Sequence, residues 1–130
     1  MDKKILIIDD DADIVESMKL ILESKNYKID VAQSGEEGLR KTKENIPDLV
    51  ILDVMMETLN AGFEVARAIK KDSNLKNIPI LMLTAIKEKT QIDFKKEAGD
   101  EDWLPVDEFC DKPLDPGELL EKVENLLKTK

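Results

Sequence analysis

Five short segments rich in apolar residues recur along the chain, of which the second, YKIDVA, is the weakest, and each is followed by a segment whose apolar residues have helical spacing. The runs cover residues 4–8, 27–32, 49–52, 79–83 and 106–110. Parallel strands that are covered on both faces have continuous apolar sequences, and helices between such strands form the crossovers. The alternation therefore predicts an α/β domain in which a doubly wound sheet of five parallel strands is covered by five helices.

Capping residues mark where two of the helices begin. Ser34 and Glu37 have the spacing of a capping box, and Asp115 and Pro116 have the residue types preferred at the N-cap and at the first helical position. Helical spacing predicts the other three helices over residues 14–22, 62–71 and 87–98. The last helix uses nearly all of the remaining chain, so we expect a single domain over residues 1–130.

The composition narrows the class of protein. The 130 residues are 42% apolar and 38% charged, which is the balance of a folded globular domain. The lack of histidine excludes a histidine-based metal site and a phosphohistidine donor within these residues. The net charge of −9 disfavours direct binding of nucleic acid, because the phosphates would be repelled. A single cysteine, Cys110, and the lack of a long apolar segment predict a cytoplasmic protein without disulfides or membrane insertion.

Polar residues follow the apolar runs at the ends where ligands bind in this fold class. Asp9 and Asp10 follow the first run, and Asp53 interrupts the segment LVILDVMM directly after the third. Because the carboxyl ends of parallel strands share one edge, Thr84 and Lys112 should face the same crevice. Carboxylate oxygens suit Mg²⁺, and a lysine suits phosphate oxygens. The set is therefore equipped for phosphoryl transfer to a carboxylate.

Four motifs in this order, IIDDDADI, LVILDVMM, ILMLTA and FCDKPL, resemble the receiver domain of two-component response regulators. The resemblance covers essentially the whole chain and implies a flavodoxin-like sheet with strand order 2-1-3-4-5. It implies a sensor histidine kinase or a phosphotransfer protein as the phosphoryl donor, and a downstream protein as the target. With no second domain expected, we interpret the chain as a single-domain regulator that signals by protein–protein contact or onward phosphotransfer.

The resemblance also assigns the phosphoacceptor and the metal site. Asp53 matches the phosphoacceptor. Asp9 and Asp10 match the acidic pair that holds Mg²⁺, together with Asp53 and the backbone carbonyl of Met55. One departure lies nearby, because Glu57 stands where the family commonly has a proline.

Three further positions match the family's switch and phosphoryl contacts. Thr84 matches the hydroxyl that moves to the phosphoryl group, Lys112 matches the lysine that pairs with it, and Phe109 matches the aromatic switch position. The family's members are signalling modules, so we expect catalysis only of the domain's own phosphorylation and dephosphorylation. The resemblance is weakest over residues 99–109, which contain the only tryptophan, Trp103.

Other interpretations use the same residues. A phosphatase of the haloacid dehalogenase type would use Asp9 as its nucleophile and Asp11 as a second acid, but this leaves Asp53 unexplained. A pseudo-receiver would share the fold without being phosphorylated. An FMN-binding protein shares the topology, but the segment DDDAD would repel the FMN phosphate. We expect Asp11 or Asp13 to cap the first helix, since acids favour helix N-termini.

Overall fold

The structure of the protein is a computed structural model that describes residues 3–53, 59–84, 107–111 and 115–128. The strands are β1 (Lys4–Ile8), β2 (Lys28–Ala32), β3 (Leu49–Asp53), β4 (Ile80–Thr84) and β5 (Glu108–Asp111). The helices of the described residues are α1 (Ala12–Glu23), α2 (Gly35–Glu44), α3 (Leu59–Lys71) and α4 (Pro116–Lys128). The predicted helix over residues 87–98 lies outside the described residues.

The strands form one parallel sheet in the order β2-β1-β3-β4-β5. Strand β1 pairs with β2 on one side and with β3 on the other, so the direction of winding reverses between β1 and β3. A crevice opens outside the carboxyl ends of the strands at such a reversal. The prediction of an α/β fold with a parallel sheet is confirmed, and the observed order is the one that the family resemblance implies.

Two apolar layers cover the faces of the sheet. In β1, Leu6 and Ile8 face the layer that contains residues of α3, whereas Ile5 and Ile7 face the layer that contains residues of α1 and α4. Leu39 of α2 packs against the first of these layers. Because successive residues of a strand point to opposite faces, the strands with both faces buried have continuous apolar sequences, as β3 does from Leu49 to Leu52, whereas the edge strand β2 carries the exposed Lys28 and Asp30.

The helices begin at the capping residues that the sequence predicts. The Asp11 carboxylate caps α1, accepting from the backbone N–H groups of Asp13 at 3.0 Å and Ile14 at 3.3 Å. The Ser34 hydroxyl caps α2, accepting from the Glu37 N–H at 3.1 Å. Asp115 caps α4, accepting from the Gly117 N–H at 2.9 Å, and Pro116 occupies the first helical position.

The capping box of α2 differs in one detail from its usual form. The Glu37 carboxylate accepts from the backbone N–H of Gln33 at 2.9 Å, one residue before the N-cap. This hydrogen bond, aided by the nearby Lys41 ammonium, holds the pKa of Glu37 below its ordinary value. The start of α2 is therefore tied to the end of β2, the strand that precedes it.

The prediction that β5 includes residue 107 is wrong, since the strand begins at Glu108. The Asp107 N–H donates to the Ile80 carbonyl at 3.0 Å, and its carboxylate accepts from the Ile80 N–H at 2.8 Å. The same carboxylate accepts from Lys70 Nζ at 3.0 Å. Asp107 thus aligns the start of β5 with the start of β4, and its side chain takes the place of a ladder hydrogen bond.

Gly38 allows α2 to lie directly on β1. A Cβ atom at this position would overlap the side chain of Ile8, the last residue of the strand. Nearby, the hydroxyl of Thr42, the buried polar side chain of α2, donates to the Gly38 carbonyl at 2.7 Å and is thereby satisfied. Gly38 therefore allows α2 to pack closely on β1, the strand that precedes Asp9 and Asp10.

Candidate metal and phosphoryl site

Three carboxylates lie together at the carboxyl edge of the sheet. One side-chain oxygen from each of Asp9, Asp10 and Asp53 lies within 4.8 Å of the other two. Asp53 is the last residue of β3, and Asp9 and Asp10 directly follow β1, its neighbour in the sheet. The prediction that these three acids converge is confirmed, and they meet at the point where the winding of the sheet reverses.

The backbone around β1 holds the cluster in place. The Asp9 N–H donates to the Ala32 carbonyl at the end of β2 at 3.0 Å, and Asp9 Oδ1 accepts from the Asp11 N–H at 3.0 Å. Asp9 and Asp53 are buried, with 1% and 3% of their surface exposed, whereas Asp10 is exposed. Asp10 is therefore the member of the cluster most open to solvent.

Two buried carboxylates at this separation repel each other strongly. At 4.8 Å the Coulomb energy of two unit charges is roughly 3 kcal/mol for an effective dielectric constant near 20. A cation with a preference for oxygen ligands offsets such repulsion. The three side chains offer carboxylate oxygens and no nitrogen or sulfur, so their chemistry fits Mg²⁺ better than Zn²⁺.

The other predicted site residues lie at or beyond the limits of the described residues. Thr84 is the last residue of β4, which places its backbone at the same edge as Asp53, one strand away. Phe109 pairs with Met82 across β4 and β5. The side chains of both residues lie outside the described part of the structure, as do Met55, Lys112 and Trp103 in their entirety.

Asp11 contributes to the site through its backbone and to α1 through its side chain. Its N–H donates to Asp9, while its carboxylate accepts from two N–H groups at the start of the helix. The prediction that Asp11 serves as a helix cap is confirmed. This use of the carboxylate is unlike the second catalytic acid that the phosphatase interpretation requires.

Sequence reasoning missed one contributor, the Ala32 carbonyl that positions Asp9. No signal in the sequence could have identified this residue, because every residue carries a backbone carbonyl. The contact arises from the pairing of β1 with β2, whose register places Ile8 beside Ala32.

None of the helices in the described ranges is both long and apolar enough to cross a bilayer.

Comparison with known proteins identifies relatives over almost the entire chain. The family model described as the response regulator receiver domain matches residues 5–124. The chain is 38% identical over 128 residues to the alkaline phosphatase synthesis transcriptional regulatory protein PhoP of Bacillus subtilis (strain 168), a match that covers 98% of this chain and 50% of that protein. This chain spans about half the length of the curated relatives it matches.

Solved structures with the same fold include two that match nearly end to end. A putative response regulator from Chloroflexus aurantiacus J-10-fl superposes with a TM-score of 0.86 and 31% identity, covering 98% of this chain and 99% of that one. The receiver domain of a sensor histidine kinase from Pseudomonas aeruginosa PAO1 has a TM-score of 0.82 and 20% identity with the same coverage. That structure has a magnesium ion coordinated in its active site cleft, and at this identity the likeness shows the fold alone.

Proposed function

This chain belongs to the response regulator receiver domain family, and from that premise we propose that Asp53 accepts a phosphoryl group from a phosphohistidine. The donor is a sensor histidine kinase or a phosphotransfer protein. One observation carries the proposal, namely that the Asp53 carboxylate ends β3 within 4.8 Å of carboxylate oxygens from Asp9 and Asp10. Receiver domains are signalling modules, so the chemistry of the domain is limited to its own phosphorylation and dephosphorylation.

In the proposed step an Asp53 carboxylate oxygen attacks the phosphorus atom of the donor. A P–O bond forms as the P–N bond breaks, and the electron pair of the broken bond returns to the imidazole nitrogen. Asp53 becomes an acyl phosphate, and hydrolysis of this group returns the carboxylate. Lys112, which follows β5 in the chain, is proposed to hold the phosphoryl oxygens by its positive charge.

Asp9, Asp10, Asp53 and the backbone carbonyl of Met55 are the residues that would hold Mg²⁺. When bound, the cation supplies positive charge that offsets the carboxylates and the phosphoryl oxygens. The donor chemistry of the three aspartates supports this proposal, because it consists of oxygen ligands only. The burial of Asp9 and Asp53 would strengthen the attraction between their carboxylates and a bound cation, since buried charges are screened less by solvent and salt.

Thr84 and Phe109 are the residues that we propose to switch. Phosphorylation shifts an equilibrium between inactive and active conformations, with the Thr84 hydroxyl moving to the phosphoryl group and Phe109 changing its packing. To take such an equilibrium from 1% to 99% active, the phosphoryl contacts must favour the active state by about 5.5 kcal/mol. The helix predicted over residues 87–98 lies between Thr84 and Phe109 in the chain and would be the fifth helix of the domain.

We propose that these 130 residues pass the signal on by protein–protein contact or by onward phosphotransfer to a downstream protein. The single-domain interpretation is part of this proposal, and the curated relatives, about twice as long, do not support it. Those relatives also leave the prediction of no direct nucleic-acid binding without support, since several are named transcriptional or DNA-binding regulators. That prediction was made from the net charge of −9, which is the charge of these 130 residues alone.

The experiment that tests the acceptor is intact-mass measurement after incubation with acetyl phosphate and Mg²⁺. The unmodified protein should gain one phosphoryl group, Asp53→Asn should gain none, and the exposed control Asp13→Asn should gain one. Labelling that survives Asp53→Asn but is lost in Asp9→Asn would favour the phosphatase interpretation. A protein that gains no phosphoryl group under any of these conditions would instead be a pseudo-receiver.

A further inference from the structure

A cavity of about 180 Å³ lies at the end of the sheet opposite to the three aspartates. Its lining includes Lys4 and Lys28, the first residues of β1 and β2, together with Asn45 and Pro47, which follow α2. Asp9 follows the other end of β1, and a five-residue strand rises roughly 16 Å. The cavity is therefore separate from the phosphoryl site.

Lys4 and Lys28, which both line this cavity, stand directly opposite each other on the neighbouring strands β1 and β2. Lys4 pairs with Lys28 in the register of β1 and β2, so both side chains leave the same face of the sheet from neighbouring strands. Like charges directly opposite each other in a sheet are destabilising. Within the described part of the chain neither ammonium makes an ion pair, and the Asp48 carboxylate beside Lys4 accepts from the Lys4 backbone N–H at 2.8 Å.

The remaining charges of the cavity largely cancel each other. Lys41 Nζ lies 3.4 Å from Asp30 Oδ1 and donates to the Val31 carbonyl at 2.6 Å. Three lysines against one aspartate leave a net charge of +2 among the lining residues, and Glu37, which does not line the cavity, lies 3.5 Å from Lys41 Nζ. The cavity is thus a local positive region where an anion would be attracted.

The walls beneath the lysines are apolar. Leu6, which is 2% exposed, and Pro47 are both among the lining residues. Ile46, between the lining residues Asn45 and Pro47, is 48% exposed, and among the described residues Leu20 is the other large aliphatic side chain that is exposed. The volume corresponds to about six water molecules at roughly 30 Å³ each, so a ligand would be a small molecule.

From these features we infer that the cavity binds a small aliphatic carboxylate. Its carboxylate group bridges the ammonium groups of Lys4 and Lys28, and the Asn45 amide is a further donor at the rim. Its short hydrocarbon chain lies against Leu6 and Pro47. Binding neutralises the facing lysines and covers apolar surface at once, which neither a simple inorganic anion nor a neutral alcohol does.

Hexanoate is the probe for this inference, with hexan-1-ol and inorganic phosphate as matched ligands that lack either the charge or the hydrocarbon chain. Titrations of the full chain are followed by backbone amide chemical shifts and by thermal unfolding. We expect saturable shifts at Leu6 and Asn45 and a rise in Tm with hexanoate, since a ligand of the folded state stabilises it. Hexan-1-ol and phosphate should bind at least about tenfold more weakly, as expected when a charged hydrogen bond or the apolar contact is lost.

Variants then identify the residues responsible. Lys28→Met keeps the length of the side chain and removes its charge, and it should weaken hexanoate binding about tenfold. Lys43→Met, on the exposed surface of α2 outside the cavity, should bind hexanoate as the unmodified protein does. Asp53→Asn should also bind hexanoate normally, so this result is independent of the proposed phosphorylation.

Three outcomes would overturn the inference. Equal binding of hexan-1-ol would show that the lysines take no part, and equal loss in Lys28→Met and Lys43→Met would show non-specific attraction to surface charge. Shifts with an acidic peptide but none with hexanoate would mean that this region contacts an acidic protein surface instead.

Discussion

Replacing Asp9 by asparagine should stabilise the protein when no divalent cation is present. The Asp9 and Asp53 carboxylates are buried with oxygens within 4.8 Å of each other, which corresponds to roughly 3 kcal/mol of repulsion at an effective dielectric constant near 20. Asparagine has nearly the same shape, and its side-chain oxygen can still accept the hydrogen bond from the Asp11 N–H. The gain is reduced by any hydrogen bond that the amide group fails to make, so we expect a net rise of about 1–3 kcal/mol in the free energy of unfolding.

The assay is thermal and urea unfolding in the presence of EDTA, followed by the same measurements with added Mg²⁺. For a domain of 130 residues, 1 kcal/mol corresponds to about 4 °C in Tm, so the effect should be readily measured. Mg²⁺ should raise the Tm of the unmodified protein far more than that of Asp9→Asn, because the variant lacks one anionic ligand. The control is Asp13→Asn, which changes an exposed acid outside the cluster. It should change neither the stability in EDTA nor the rise in Tm with Mg²⁺ by much.

A lower stability of Asp9→Asn in EDTA would refute this reasoning. It would mean that the attraction of Asp9 to neighbouring groups, with Lys112 the first candidate, outweighs its repulsion by the other two carboxylates. The double variant Asp9→Asn with Lys112→Met would then test that explanation, since removing both charges should restore the stability lost in the single variant.

Three further predictions concern the scaffold. Gly38→Ala should lower the free energy of unfolding by about 1–3 kcal/mol, because its Cβ would overlap Ile8, and urea unfolding beside a Gly117→Ala control measures this. Asp107→Ala should lower it by about 1–3 kcal/mol in the same assay, since the buried Ile80 N–H loses its acceptor; no change would show that β5 is aligned by other contacts. Burial, and secondarily a nearby glutamate, raises the pKa of Tyr27 above its ordinary value of 10.0, so this group stabilises the fold fully below pH 10 and loses its contribution as the pH rises through the folded-state pKa. The difference in unfolding free energy between the unmodified protein and Tyr27→Phe should therefore shrink or change sign above pH 10, and a difference independent of pH would contradict the assignment.

Much of the fold and part of the candidate site could be predicted from the sequence because their signals are local. Burial of both sheet faces leaves continuous apolar runs, so the strands could be located without knowing their order. Ser34 and Asp115 mark helix starts because a capping side chain bonds to the backbone only two or three residues away. The convergence of Asp9, Asp10 and Asp53 followed from a general property of parallel sheets, namely that their carboxyl ends share one edge.

Only the tertiary structure decided the features that depend on which strands pair and in what register. Asp107 looked like part of an apolar strand, and only its contacts with Ile80 and Lys70, distant in sequence, show that it precedes β5. Lys4 and Lys28 are ordinary surface lysines in the sequence, and they form one positive site only because β1 lies beside β2 with these residues in register. Such pairings are set by the summed packing of whole elements, so no short segment carries a signal for them.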